Sequence, residues 1–569
     1  MNAPRERNAS HPPLLRLDRL SVTYPGRRGV APVAAVADLS VTVSGGQTVA
    51  IVGESGSGKS TTLHALLGLL PREAEVRYRA LEIGDDTGLS HAVDDPRELR
   101  GRAVGLVPQD PARALDPLVR IERNFAELHR HFLRIGDRAE SRRRTIETLQ
   151  AVGVDRPELR LRQYPHELSG GLRQRILIGL ALVGRPRLLL ADEPTSNLDT
   201  TVQRRVLDLF DTLRTERSLG LLLVTHDLAV AAERADHLLV VRHGRVVESG
   251  PVPAVLGDPQ DPYTRQLLTS LPSRLPPRPQ PKPADPPPVV LEARGLSKSY
   301  AGGRGRERTD AVQDVGIRLR RGRSIAIVGE SGAGKSTLLR LITGLERPDA
   351  GTVLLQGAAQ PSRARAGTAF TRRVQLVYQN PASSLNPALR VGRVVAEPLE
   401  AHRVGTPASR AERARELIRQ VGLPEEVADR RPAQLSGGQQ QRVAIARALA
   451  LEPDVVALDE PVSALDQAVQ YELLRLLIGL QERLGIAYLL VSHDLGVVRA
   501  MADEVLVMRR GRVAEYGPAG EVFDRPASPY TRSLLDAVPP LALPRPSPLG
   551  PPPVSSPPAS SPSERTALS

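Results

Sequence analysis

Apolar residues in this chain fall in short runs separated by longer stretches of helical periodicity, and the arrangement occurs twice. Thr48 to Val52, Leu188 to Ala191 and Leu221 to Val224 are almost wholly apolar, as are Ser324 to Val328, Val455 to Leu458 and Tyr488 to Val491. Runs this short and this apolar read as strands buried on both faces. Between Gln109 and Ser169 the pattern changes. Ile121, Phe125, Leu128 and Phe132 share one helical face there, with no strand-like run between. This predicts a helical subdomain, with a counterpart between Gln379 and Ser436. Strands alternating with helices predict an α/β fold, a mainly parallel sheet covered by helices.

The repeat is visible residue by residue. Gly53-Glu-Ser-Gly-Ser-Gly-Lys-Ser60 returns as Gly329-Glu-Ser-Gly-Ala-Gly-Lys-Ser336, an offset of 276. Gln109 matches Gln379 at 270, and Ser169, Asp192, His226 and Tyr263 match Ser436, Asp459, His493 and Tyr530 at 267. Two homologous domains are therefore expected, at 14–270 and 289–537. The Pro-rich stretch 271–288 reads as a semi-extended linker. Residues 1–13 and the Pro/Ser-rich tail 538–569 read as disordered.

Composition narrows the class. Apolar residues make up 40% and charged residues 25% of the 569, as in soluble globular domains. No run of about 18 apolar residues suggests a membrane span. The polar start Met1 to Pro13 does not resemble a secretory signal. A membrane role would therefore run through separate subunits. The absence of Cys excludes disulfides and thiolate metal sites. The net charge of +13 comes almost entirely from Arg. With no dense basic block and interleaved aromatics, it reads as composition rather than a nucleic-acid surface. Only Lys59, Lys282, Lys298 and Lys335 are lysines among 77 basic residues. Two of these four sit in the glycine motifs, so those positions demand an ammonium.

The glycine motifs fit GxxxxGK[ST] after a strand and before a helix. Backbone N–H groups around Gly53, Ser55, Gly56 and Gly58, and around Gly329, Ser331, Gly332 and Gly334, would cradle phosphates. Lys59 and Lys335 would reach the β/γ-phosphates, and Ser60, Thr61, Ser336 and Thr337 open the helices that follow. Asp192 and Asp459 end apolar strands, where an Asp can hold the hydration shell of Mg2+ beside Ser60 and Ser336. Glu193 and Glu460 come next, placed to polarise water as general bases. His226 and His493 follow buried strands and are read as γ-phosphate contacts.

Leu168-Ser-Gly-Gly-Leu-Arg-Gln-Arg175 and Leu435-Ser-Gly-Gly-Gln-Gln-Gln-Arg442 resemble the signature motif of ABC ATPases. The other family motifs follow in order in both repeats. Gln109 and Gln379 lie in Q-loops, where the family places an Mg2+ and water contact. Ser196 to Asp199 and Ser463 to Asp466 stand as D-loops, and His226 and His493 as switch histidines. Tyr24 and Tyr300 match the family's adenine-stacking position. The resemblance implies two P-loop NTPase cassettes, each a mainly parallel sheet core with an antiparallel β part and a helical signature subdomain. It also implies ATP bound between halves of an internal pseudo-dimer. Ser436, Gly437 and Gly438 would face Lys59, and Ser169, Gly170 and Gly171 would face Lys335. Physics supports the signature independently, since Ser is a good N-cap and the glycines expose amides at a helix start. Both cassettes keep Lys, Asp, Glu, Gln and His, so two hydrolysing sites are expected. Leu172 departs from the usual Gln.

Asp261-Pro-Tyr-Thr-Arg-Gln-Leu-Leu268 and Ser528-Pro-Tyr-Thr-Arg-Ser-Leu-Leu535 look like the C-terminal extension of the peptide/nickel importer subfamily. Tyr263 and Tyr530 are read there as packing residues. The subfamily implies import of di- or oligopeptides, with nickel or glutathione-like substrates as alternatives. It implies two transmembrane permease subunits, an extracytoplasmic binding protein and a peripheral place on the cytoplasmic membrane face, without nucleic acid. The rival is a soluble twin-cassette factor acting on ribosomes. Such proteins carry a long charged helical linker, unlike 271–288, and lack the Pro-Tyr-Thr-Arg extensions.

Overall fold

The computed structural model describes residues 13–26, 31–84, 90–196, 198–278, 286–301, 308–360, 369–463 and 465–538. Of the termini expected to be disordered, 1–12 and 539–569 lie outside the described residues, as does the middle of the linker, while Pro13 opens a strand and Val538 N donates to Leu535 O.

Each repeat folds into the same two-sheet unit. In the first, strands Pro13–Tyr24 and Val33–Ser44 pair antiparallel, and Ala80–Gly84 continues that sheet. The second sheet runs Arg245–Pro251, His237–Arg242, Thr48–Val52, Gly220–Thr225, Leu188–Asp192, Val104–Val107. All its neighbours are parallel except the Arg245–Pro251 edge. The second repeat has the same order, from Arg512–Pro518 at the antiparallel edge through Glu504–Arg509, Ser324–Val328, Ala487–Val491 and Val455–Asp459 to Val374–Val377. The expected short runs are the central strands, and Thr48–Val52, Leu188–Asp192 and Ser324–Val328 are buried throughout or nearly so. Burial on both faces is what removes the apolar-polar alternation.

The stretch between Gln109 and Ser169 is helical, with Ile121–Leu133 and Arg138–Ala151 packed against Gly170–Ala181. Its buried face differs in detail from the expected one. Ile121 and Phe125 are buried as read, but the third core position is His129, 1% exposed, while Leu128 and Phe132 lie at the flank. A polar residue can take a core place when it is satisfied. Here His129 Nδ1 meets Ser141 Oγ at 2.9 Å.

The linker is not extended at its start. Leu271 packs in the core of the first repeat and Leu275 in that of the second, with a short 3-10 turn, Pro272–Arg274, between them. Arg278 then donates to Ser324 Oγ and Gln481 Oε1 at 2.6 Å each. The two repeats are thus pinned together where the chain crosses. Among the described residues no helix is long and apolar enough to cross a membrane.

Candidate active sites

Both glycine loops are shaped by the same demands. Gly58 has φ 99° just ahead of helix Lys59–Leu66, and a Cβ there would lie 2.3 Å from the carbonyl oxygen of Ala35. Gly334 repeats this at φ 101° ahead of Lys335–Ile342, with a Cβ 2.1 Å from the Ala311 oxygen. Only glycine meets both conditions. Lys59 folds back over the loop, its Nζ donating to Gly53 O and Glu54 O at 2.8 Å each. Lys335 does the same to Gly329 O and Glu330 O at 2.7 and 2.9 Å. Burial pulls the pKa of both ammonium groups down, against the acidic groups around them.

The strand-end carboxylates converge on these loops. Ser60 Oγ donates to Asp192 Oδ1 at 2.9 Å. Burial pushes the Asp192 and Asp459 carboxyls up. The next residues, Glu193 and Glu460, adopt left-handed backbone at φ 44° and 46°. That turn ends each strand and costs about 1 kcal/mol for a non-glycine residue. Glu193 Oε2 accepts from Gln109 Nε2 at 2.9 Å and meets His226 Nδ1 at 3.1 Å. Glu460 Oε2 accepts from Gln379 Nε2 at 2.8 Å and meets His493 Nδ1 at 3.2 Å. Burial works to raise both carboxyls, but the histidine contacts and lysine charges outweigh it and hold them below 4.5. Each histidine is correspondingly raised above 6.5, its glutamate outweighing burial.

At the second loop a cavity of about 660 Å³ is lined by Tyr300, Ser331, Gly332, Gly334, Lys335, Ser336, Thr337, Gln379, Glu460 and His493. Asp199 reaches it from the first repeat. Ser169, Gly170 and Gly171 do not line it. The two tyrosines read as adenine contacts differ. Tyr300 is 39% exposed, its hydroxyl donating to Glu346 Oε2 at 2.7 Å, while Tyr24 packs partly buried against the apolar cluster.

The signature serines cap their helices. Ser169 Oγ accepts from Leu172 N at 3.4 Å, and Ser436 Oγ from Gln439 N at 3.3 Å. Only the second forms a reciprocal box, because Gln439 Oε1 accepts from Ser436 N at 3.1 Å. Leu172 has no such arm and packs against the helical-subdomain core instead. The second signature glycine has a packing reason too. A Cβ on Gly171 would come within 2.4 Å of Val202 Cγ1, and one on Gly438 within 2.6 Å of Val469 Cγ1.

Sequence reasoning placed two functional pairs short of their role. Asp199 and Asp466 end the D-loops, whose Asn197 and Ala464 lie outside the described residues. Each bonds the glycine loop of the opposite repeat, Ser331 N to Asp199 Oδ2 at 3.1 Å and Ser55 N to Asp466 Oδ1 at 2.9 Å. Thr201 Oγ1 adds a bond to Glu330 Oε1 at 2.9 Å. Tyr263 and Tyr530 also touch the loops, and the recurrence of their motif at one fixed offset was the available signal.

The ABC transporter family model matches residues 36–196 and 312–463. The chain belongs to the ABC transporter family. A model of the oligopeptide/dipeptide transporter C-terminal region matches 247–297 and 514–561. The chain is 40% identical to the oligopeptide transport ATP-binding protein OppD of Mycobacterium bovis, over 93% of this chain and 98% of that one. It is 40% identical to the peptidoglycan transport ATP-binding protein YejF of Agrobacterium fabrum, over 92% and 96%. The glutathione import ATP-binding protein GsiA of Escherichia coli is 37% identical over 92% and 89%. These are two ABC cassettes in one polypeptide, and their reaction is ATP hydrolysis.

Proposed function

We propose that this chain energises import of di- and oligopeptides across the cytoplasmic membrane. The observation that carries this reading is the paired extension, which matches the oligopeptide/dipeptide transporter C-terminal region in both repeats. Two transmembrane permease subunits and an extracytoplasmic binding protein complete the importer, with the cassettes peripheral on the cytoplasmic face. Glutathione-like peptides and nickel are the other cargoes to test.

Each ATP is held by the glycine loop of one cassette and the signature helix of the other. Lys59 and Ser436 serve one site, and Lys335 and Ser169 the other. Tyr24 and Tyr300 lie on the adenine side. The hydroxyl of Ser60 against the carboxylate of Asp192 is a pair of hard oxygen donors at the loop, which suits Mg2+, with Ser336 and Asp459 as the counterparts and Gln109 and Gln379 beside them. Bound there, Mg2+ would offset charge on the phosphates. Glu193 and Glu460 take the proton of the attacking water, and their depressed pKa keeps them ionised for it. His226 and His493 hold the γ-phosphate. Closure of the cassettes on ATP and opening after hydrolysis move the permeases.

The test is reconstitution of the chain with its permeases in proteoliposomes. Binding protein loaded with an oligopeptide is expected to stimulate ATPase and drive uptake. Stimulation by glutathione or nickel alone would reassign the cargo.

A further inference from the structure

In both cassettes the C-terminal extension sets a tyrosine hydroxyl on the glycine loop. Asp261 caps helix Pro262–Thr269 by accepting from Tyr263 N at 2.8 Å, and Ser528 Oγ caps Pro529–Asp536 by accepting from Tyr530 N at 3.2 Å. The rings are 2% and 8% exposed. The guanidinium groups of Arg242 and Arg509 lie 4.8 Å from the ring centroids of Tyr263 and Tyr530. Each ring is therefore fixed from its backbone and from its face.

The hydroxyls meet the backbone behind the catalytic lysines. Tyr263 Oη accepts from Glu54 N at 3.0 Å, and Tyr530 Oη from Glu330 N at 3.1 Å. The peptide unit joining Gly53 to Glu54 is then held at both ends. Its N–H goes to the phenol, and its carbonyl, Gly53 O, takes the Lys59 ammonium at 2.8 Å. The Gly329–Glu330 unit is held the same way by Tyr530 and Lys335. The very next amide is held from across the molecule, Ser55 N by Asp466 and Ser331 N by Asp199. Two adjacent loop amides thus report two things, the seating of the cassette's own extension and the approach of the other cassette. Burial keeps the Tyr263 phenol neutral, with its pKa raised to about 12, so its bond to the loop is one between neutral groups. A ring present only to fill space has no use for the hydroxyl, since Phe has nearly the same volume and no buried polar atom.

We propose that Tyr263 and Tyr530 are positioning residues of the ATPase reaction, each fixing the peptide plane that carries the glycine-loop lysine and so linking the extension to the grip on the phosphates. The extension is then part of the nucleotide site rather than an appendage beside it. A loop freed from the phenol lets that peptide rotate, and the lysine loses one of the carbonyls that aim it.

The test uses Tyr263→Phe, Tyr530→Phe and the double variant in the full chain. In the double variant the KM for ATP is expected to rise about tenfold, the worth of one hydrogen bond of about 1.4 kcal/mol. The nucleotide-free melting temperature should fall by no more than the roughly 3–6 °C that one such hydrogen bond per cassette is worth. Hydrogen exchange should speed up over residues 53–57 alone in Tyr263→Phe, and over 329–333 alone in Tyr530→Phe. The untouched cassette is the control within each molecule, and it keeps the test sharp if the double variant folds poorly. Unchanged KM with unchanged local exchange overturns the proposal. So does a loss of protection shared equally by both loops, because that is the mark of packing alone.

Discussion

The carboxylate of Asp466 accepts the backbone N–H of Ser55 at 2.9 Å, joining residues 411 apart in the chain. Asp199 and Ser331 form the mirror contact. Each glycine loop is thereby finished by a residue of the other cassette. The linker turn at Pro272–Arg274 also joins the pair, between leucines seated in different cores.

Removing either cross-contact should slow both partners of the reaction. Asp466→Ala and Asp199→Ala are each expected to lower ATPase kcat by about tenfold or more, since a charged hydrogen bond contributes about 1.5–3 kcal/mol. Steady-state ATPase of the full chain checks this, with Glu216→Ala, at an exposed position of helix Thr200–Arg217, as a control.

Both glutamates have equivalent surroundings, an amide and an imidazole on one carboxylate oxygen. Glu193→Gln and Glu460→Gln should therefore each cut turnover heavily, with a general base contributing about 10²–10⁴-fold at its own site. Near-parental ATPase in either single variant would overturn the two-site reading.

The unequal signature caps make a stability prediction. Leu172→Gln offers the first signature helix the reciprocal arm that Gln439 provides in the second. Gln439→Leu removes it and is expected to cost about 0.5–1 kcal/mol. Leu172 gives up apolar contact in exchange, so its substitution should yield less than that. Thermal unfolding of the two variants measures both.

His129 supplies a pH-dependent weakness that the second cassette does not share. Burial and the nearby Arg144 charge lower its pKa below 6.5, with Glu140 opposing. The unfolded chain then binds more protons than the folded one as pH falls below about 6.5. The stability from neutral His129 is complete above that value and is lost as pH drops toward the folded pKa. Leu399 occupies the matching helix position in the second repeat and is buried without charge. His129→Leu should flatten the acid limb of stability in urea titrations below about pH 6.5, and an unchanged limb would contradict this.

Much of this architecture was legible in the sequence because it rests on strong local signals. The central strands are apolar end to end, and the glycine loops follow them at the one spacing that closes around a phosphate. Other features depend on tertiary contact and leave little local trace. His129 belongs to the core only because Ser141 meets it from the next helix, so apolar periodicity favoured Leu128 and Phe132. Tyr263 carried a motif without a role, since its partner is a backbone amide more than 200 residues earlier, at Glu54. The linker's proline content suggested an extended strap, yet Leu271 and Leu275 bury themselves in two different cores within five residues. Asp199 and Asp466 read in sequence only as the ends of the D-loops, and their reach across the interface is a property of the assembled pair.

The central claim is that each nucleotide is gripped by a glycine loop from one half and a signature helix from the other. The most direct measurement is retention of ATP by the Glu193→Gln/Glu460→Gln chain carrying Ser436→Arg, with a photoreactive ATP mapped to its peptide. The account predicts that labelling is lost at the Lys59 loop and kept at the Lys335 loop. Loss at Lys335 with retention at Lys59 would contradict it.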